Sequence, residues 1–283
     1  MDVIAPKKLI NIVLDATSVS TLQSCGRLYD FRMNRNFKHK DGKSESLEMG
    51  SIVHAYLENM YGSRINGINR KDAHGFGMIA AKAYSISAEV TNTSQEDIDF
   101  ALRTCEEYDE FYLNDPWIPL EVEVVKSKII YTDDEIRILW KGKLDLTADT
   151  AAGVYPVDHK TMKQRRDTIS LNIQFTGQCF LMGTRTMFVN KIGFQKSLKP
   201  KDKFLRVPVN YSADRIAEFA EEIVPSWAYR LLSYHESEYW PPDFTHCENK
   251  YGFCQFKEVC DADRHMRGDI INMNFVVGEP WSI

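Results

Sequence analysis

The chain has 283 residues, a formal net charge of −5, 43% hydrophobic residues and 27% charged ones. That length supports a buried core without disulfides, and the composition is that of a globular protein rather than a disordered or collagenous one. The longest apolar runs, such as Ile129-Ile130-Tyr131, are far shorter than the roughly 18 residues of a membrane span, and MDVIAPKKLI lacks a secretory signal's apolar core. The expectation is a cytoplasmic (intracellular) protein with no membrane association.

In chain order, a short stretch ending at Asn11-Ile12-Val13-Leu14 leads into a helix that Asp15 or Thr17 can cap, with Leu22, Cys25, Leu28 and Tyr29 on one face. Residues 47–61 read more firmly as a helix. Met49, Ile52, Val53, Tyr56, Leu57 and Met60 repeat as a buried stripe, and His54 borders it. Two more helices are expected over roughly 70–90 and 94–114.

Residues 119–131 then alternate and are rich in Val and Ile, as a strand requires. Thr132-Asp133-Asp134 supplies a turn, Ile136 to Ala148 a second strand, Thr150 to Gly153 another turn, and Val154 to Lys160 a third strand. Connections this short imply an antiparallel meander. A helix around 168–188, strands near 189–195 and 204–209, a helix over about 212–235 and a turn-rich cysteine tail complete the chain.

Charge is distributed unevenly. Residues 91–125 hold ten acidic side chains against one basic one, Arg103, while 158–203 hold ten Lys and Arg against three Asp. The basic segment starts at Val157-Asp158-His159-Lys160, the strand after Gly142-Lys143-Leu144-Asp145. Side chains alternate along a strand, so Asp158 and Lys160 share a face and His159 takes the other. Asp145, on the neighbouring strand, comes within cross-strand reach of Asp158. Two converging carboxylates beside an ammonium call for a cation, and hard oxygen ligands suit Mg²⁺ or Mn²⁺. Such a site polarises phosphoryl groups and activates water, with Lys160 stabilising developing charge. An ion pair on an exposed strand face is the bland reading of the same residues.

The order of a helical His54 preceded by Gly50, then G-x-x-D at Asp145, D-x-K at Asp158 and Lys160, then Gln174 in the next helix resembles the PD-(D/E)XK nuclease superfamily. More narrowly it is similar to the RecB-type branch with CRISPR-associated and phage exonucleases. The resemblance implies an α/β, restriction-endonuclease-like core, a mixed central sheet flanked by helices. It implies His54, Asp145 and Asp158 as metal ligands and Asp145, Asp158, Lys160 and Gln174 as the catalytic set. The family's tyrosine four residues after that glutamine is Gln178 here.

The cysteines at 25, 105, 179, 247, 254 and 260 are not expected to form a disulfide framework. Cys105 and Cys179 fall in helical patterns as small core residues. Cys247, Cys254 and Cys260 have intervals that suggest metal ligation, and a distant fourth thiolate would complete the set. The resemblance implies Cys25 as that fourth ligand, because Ser24-Cys25-Gly26-Arg27-Leu28-Tyr29 is similar to the family's CPR-x-Y/F motif with Gly26 in place of proline. It implies a [4Fe-4S] cluster; Zn²⁺ is the rival metal and free thiols the third reading.

Lys163, Arg165 and Arg166 could grip phosphates, and Tyr29, Phe31 and Phe37 among basic residues could stack on bases or simply be core. Glu121 and Glu123 lie on one strand face, either supporting the site or exposed. Trp240-Pro241-Pro242 reads as a rigid lead into the tail.

The expectation is one nuclease domain over 1–283, with a helical part at 15–115, a catalytic sheet and helix at 116–210, and a C-terminal helix and cysteine tail at 211–283. It would hydrolyse DNA as an exonuclease on single strands or free ends, in the host cytoplasm if the chain is viral, with a recombination or replication protein as a candidate partner. The alternatives are a non-cutting nucleic-acid-binding or assembly protein on the same fold, and an endonuclease subunit of a recombination or defence complex.

Overall fold

The computed structural model describes residues 9–41, 45–87, 90–162, 172–249 and 252–281. The chain divides into two compact units, one formed by Met1–Asp41, Ser127–Gly142 and Ala217–Ile283, the other by Gly42–Lys126 and Lys143–Ile216. The elements up to the meander are β1 (Ile10–Leu14), α1 (Ala16–Ser24), α2 (Gly26–Tyr29), β2 (Phe37–His39), α3 (Glu45–Ile65), α4 (Arg70–Ser85) and α5 (Gln95–Phe111). The meander is β3 (Ile118–Thr132), β4 (Ile136–Thr150) and β5 (Gly153–Met162). Then come α6 (Ile173–Met182), β6 (Thr186–Gly193), α7 (Pro200–Lys203), β7 (Phe204–Asn210), α8 (Ala213–Glu218) and α9 (Val224–Glu236). The tail carries β8 (Glu248–Asn249), β9 (Gly252–Phe253), α10 (Lys257–Asp261), α11 (Arg267–Asn274) and β10 (Phe275–Val277).

The expected mixed sheet is present. It has six strands in the order β1-β4-β5-β6-β7, with β3 also paired to β4. The meander is antiparallel where expected, Leu146 facing Val157 across β4 and β5. At its turn Gly153 has φ +128°, a conformation that side chains disfavour. Beyond local sequence signals lie two parallel pairings, β1 with Ile136–Trp140 of β4 and β5 with β6. The second places Asp158 beside Val189 and His159 beside Asn190.

In the larger unit the predicted stripe on α3 is the heart of the core. Met49, Ile52, Val53, Tyr56, Leu57 and Met60 pack with Ala73 and Ala81 of α4, Phe100 and Cys105 of α5, and Leu146 and Val157 of the sheet. Capping explains where the next helices start. Asn69 accepts from the Asp72 amide ahead of α4, and Ser94 accepts from the Asp97 amide ahead of α5. Gly77 lets α4 approach α3 closely, since a Cβ there would lie 2.8 Å from Tyr56 Cδ2.

In the other unit Asp15 caps α1 as expected, through a reciprocal capping box with Ser18. The helix then breaks at Cys25, which is extended, so the predicted continuous face ends there. Phe31 packs on Phe256, with ring centroids 4.9 Å apart, and Tyr29 stacks on Trp240 at 5.6 Å. Both are buried, so these aromatics belong to the core rather than to a base-stacking surface. The helix expected over 212–235 is interrupted by a π-turn at Phe219–Ile223. Pro225 follows it and has no N–H for a regular turn, and the wider turn accommodates that.

No helix among the described residues is long and apolar enough to cross a membrane.

Candidate active site

The hairpin and α3 bring the expected residues together within the larger unit. Among the described residues, His54, Glu123 and Asp145 each place a ligand atom within 4.8 Å of the others. Asp158 stands beside this trio, and its charge acts on both Asp145 and His54. Burial, and then the Asp158 charge, pushes the Asp145 carboxyl well above the usual range. Burial lowers the His54 pKa and favours the neutral imidazole that a metal requires.

The sequence offers Glu123 only alongside Glu121, as a support for the site or an exposed residue, and not as a ligand. Strand alternation groups it with Glu121, but its φ is +53°, a conformation that costs about 1–3 kcal/mol for a non-glycine residue and collects at functional sites. Lys143, two residues before Asp145, forms an ion pair with the Glu123 carboxylate. No local pattern signals a positive φ inside a valine-rich strand.

Asp158 is fully buried. Its Oδ1 accepts from Gln174 Nε2 at 2.8 Å and from Gln178 Nε2 at 3.3 Å. Its Oδ2 receives no aligned hydrogen bond but lies 2.9 Å from Lys160 Nζ. The lysine also donates to Gln174 Oε1 at 3.2 Å. Burial works against the Lys160 ammonium, yet Asp158 outweighs it and raises the pKa. Asn172 caps α6 and so orients Gln174. Gln178, one turn on, fills the position of the expected tyrosine and is itself buried.

His159 points away from Asp158, as alternation requires, and is buried with Asn190, Tyr61 and Tyr108. Lys163, Arg165 and Arg166 lie outside the described residues.

In the other unit Cys25, Cys247, Cys254 and Cys260 line one cavity of about 290 Å³. Asp243 N donates to Cys25 Sγ at 3.2 Å, and the β8–β9 hairpin is closed by Cys254 N donating to Cys247 O at 2.8 Å. Burial and the neighbouring thiols raise the pKa of Cys247, and burial leads the rise at Cys254. Cys105 and Cys179 are fully buried core thiols, as expected.

Three solved structures and one family profile are similar to this chain. A crystal structure from Eubacterium rectale, provisionally named an exonuclease, is 15% identical over 95% of this chain and 91% of its own, with a TM-score of 0.50. SSO0001 is 12% identical over 66% of this chain and 77% of its own, at a TM-score of 0.30. LHK-Exo, solved with dAMP, is 8% identical over 66% and 99%, at 0.29. No curated protein matches the chain significantly. The profile of the PD-(D/E)XK nuclease superfamily matches residues 14–261, which is most of the chain, and with the hairpin carboxylates, Lys160 and the mixed sheet in place the chain belongs to the PD-(D/E)XK nuclease superfamily.

Proposed function

We propose that this nuclease cleaves DNA phosphodiesters with Mg²⁺ or Mn²⁺, as an exonuclease on single strands or free ends. The observation that carries the reading is the convergence of His54, Glu123 and Asp145 beside Asp158 and Lys160. Hard carboxylate oxygens and one imidazole fit such a cation. The fully buried Asp158 carboxylate, paired with Lys160 at 2.9 Å, places a further hard oxygen donor beside the trio. In this reading His54, Asp145 and Asp158 are ligands, and Glu123 joins them. The cation, when bound, supplies polarisation of the scissile phosphate and acidification of water.

The protein's own residues do the rest. Lys160, kept charged by Asp158, faces the negative charge that develops on the phosphoryl oxygens. Gln174 accepts from Lys160 and donates to Asp158, so it holds the two in fixed register. The preference for ends rests on the RecB-type motif order and on the name of the Eubacterium rectale neighbour. Purified protein with Mg²⁺ or Mn²⁺ should degrade linear DNA and leave covalently closed circles intact. Cutting of the circles would favour the endonuclease reading. Loss of neither substrate at any metal concentration would leave the non-cutting, DNA-binding reading.

The same proposal extends to a [4Fe-4S] cluster on Cys25, Cys247, Cys254 and Cys260. The four thiols line one cavity, as a shared Cys₄ site requires, and the choice of a cluster over zinc rests on the RecB-type motif resemblance. Six unpaired cysteines also suit the reducing interior of a cell. An anaerobic preparation should be brown and carry iron, and Cys254→Ser should lose both. A colourless protein with stoichiometric zinc would reject the cluster.

A further inference from the structure

Helix α3 carries His54, and the β4–β5 hairpin carries Asp145 and Asp158. A metal site split between a helix and a sheet needs something that fixes one against the other to a fraction of an ångström. His159, between Asp158 and Lys160, is placed to do this, though its side chain faces away from the reacting side.

Its main chain reaches both elements. The amide N–H donates to Asp145 Oδ2 at 2.8 Å, and the carbonyl accepts a hydrogen bond from His54. Its imidazole reaches α3 twice. It stacks on Tyr61, with centroids 5.9 Å apart and planes 4° from parallel, and meets His54 edge-on at 6.0 Å. His54 and Tyr61 are two helical turns apart on one face of α3.

The ring is anchored from behind. Asn190 Nδ2 lies 2.8 Å from His159 Nδ1 and donates to Tyr108 OH at 2.9 Å, and Tyr108 OH is 2.9 Å from Tyr61 OH. Arg206 donates to both hydroxyls at 3.1 and 3.3 Å. It is clamped between Tyr112 and Trp117, 3.8 and 3.7 Å from the ring centres, and paired with Asp115. Buried polar chains of this kind specify one geometry. A chance packing of His159 would not tie its ring to the helix that its own carbonyl serves.

We infer that His159 is the positioning residue of the metal site: its backbone holds Asp145 and His54, and its imidazole, fixed by Asn190, Tyr61 and Tyr108, registers α3 on β5. The inference rests on the metal reading above and assigns a role to residues that reach neither substrate nor cation.

The test is Mn²⁺ binding, measured by electron paramagnetic resonance and calorimetry, beside thermal unfolding. The proteins are wild type, His159→Phe, Asn190→Leu, Tyr108→Phe and Thr104→Val. Thr104 is equally buried, and among the described residues its hydroxyl bonds within α5, to Phe100 O, so Thr104→Val reports lost stability alone. Residues that orient metal ligands typically change affinity by about 10–100-fold. His159→Phe and Asn190→Leu should weaken Mn²⁺ binding by that much, and Tyr108→Phe by several-fold, while Thr104→Val binds as wild type does. Tyr108→Phe loses a single hydroxyl and decides the matter if the larger changes do not fold. Wild-type Mn²⁺ affinity in every folded variant, with only the unfolding temperature reduced, overturns the positioning role. A wild-type protein that binds no Mn²⁺ overturns the metal reading itself, and the inference with it.

Discussion

Gln174 and Gln178 both donate to one oxygen of Asp158, which makes them non-additive. Hydrogen bonds to charged groups contribute about 1.5–3 kcal/mol. The 2.8 Å bond from Gln174 belongs in that range, whereas the 3.3 Å bond from Gln178 is long and weaker. Gln174→Leu should therefore cost about 2 kcal/mol and Gln178→Leu about 1 kcal/mol. In either single variant the remaining amide still serves Oδ1. The double variant leaves Oδ1 of a fully buried carboxylate with neither donor, so its loss should exceed the sum by about 1 kcal/mol. Urea denaturation of the four proteins measures this directly. Single-turnover cleavage adds a second readout, because Gln174 also accepts from Lys160 and Gln178 has no such bond. Gln174→Leu should slow the chemical step about 10–100-fold, and Gln178→Leu far less. Additivity within about 0.5 kcal/mol, or equal rates for the two single variants, would refute the shared-carboxylate geometry.

Two further outcomes follow from the packing. Burial alone would raise the Glu48 pKa, but hydrogen bonds from Thr93 and from the Thr91 and Asn92 amides outweigh it and hold it at about 2. A depressed carboxyl stabilises the fold above its unfolded value of 4.5, and that share is lost as pH falls towards about 2. Glu48→Gln should lower the urea midpoint at pH 7, and the gap to wild type should narrow steadily on acidification through that window; a constant gap would contradict the assignment. Gly77→Ala should destabilise the protein although alanine favours helix by about 1 kcal/mol, because its Cβ would press on the Tyr56 backbone oxygen at 2.9 Å as well as on the ring. Overpacking of this kind costs about 1–3 kcal/mol, and a raised melting temperature would show that α3 and α4 separate freely.

Much of the site was legible because its signals are local. Alternation put Asp158 and Lys160 on one face and His159 on the other, and two short turns forced the hairpin that brings Asp145 alongside. The apolar stripe on α3 fixed which way that helix faces. What escaped depends on tertiary context. Alternation offers Glu121 and Glu123 equally, and what selects Glu123 for the trio is a backbone angle that valine-rich sequence does not announce. The parallel pairing of β5 with β6 couples residues 31 positions apart, and without it the bond between His159 and Asn190 has no reason to exist. Arg206 carries no sequence signal of its own, and its place becomes clear only from Tyr112, Trp117 and Asp115 around it. Gln178 reads as a lost tyrosine until its amide is found on Asp158.

Single-turnover cleavage of end-labelled DNA across a Mg²⁺ titration, for wild type and Asp158→Ala, tests the central claim most directly. The account predicts Mg²⁺-dependent product from wild type, none in the presence of a chelator, and a rate for Asp158→Ala lower by at least about 100-fold at saturating metal. Equal product from both proteins, or cleavage that persists without divalent metal, would contradict it.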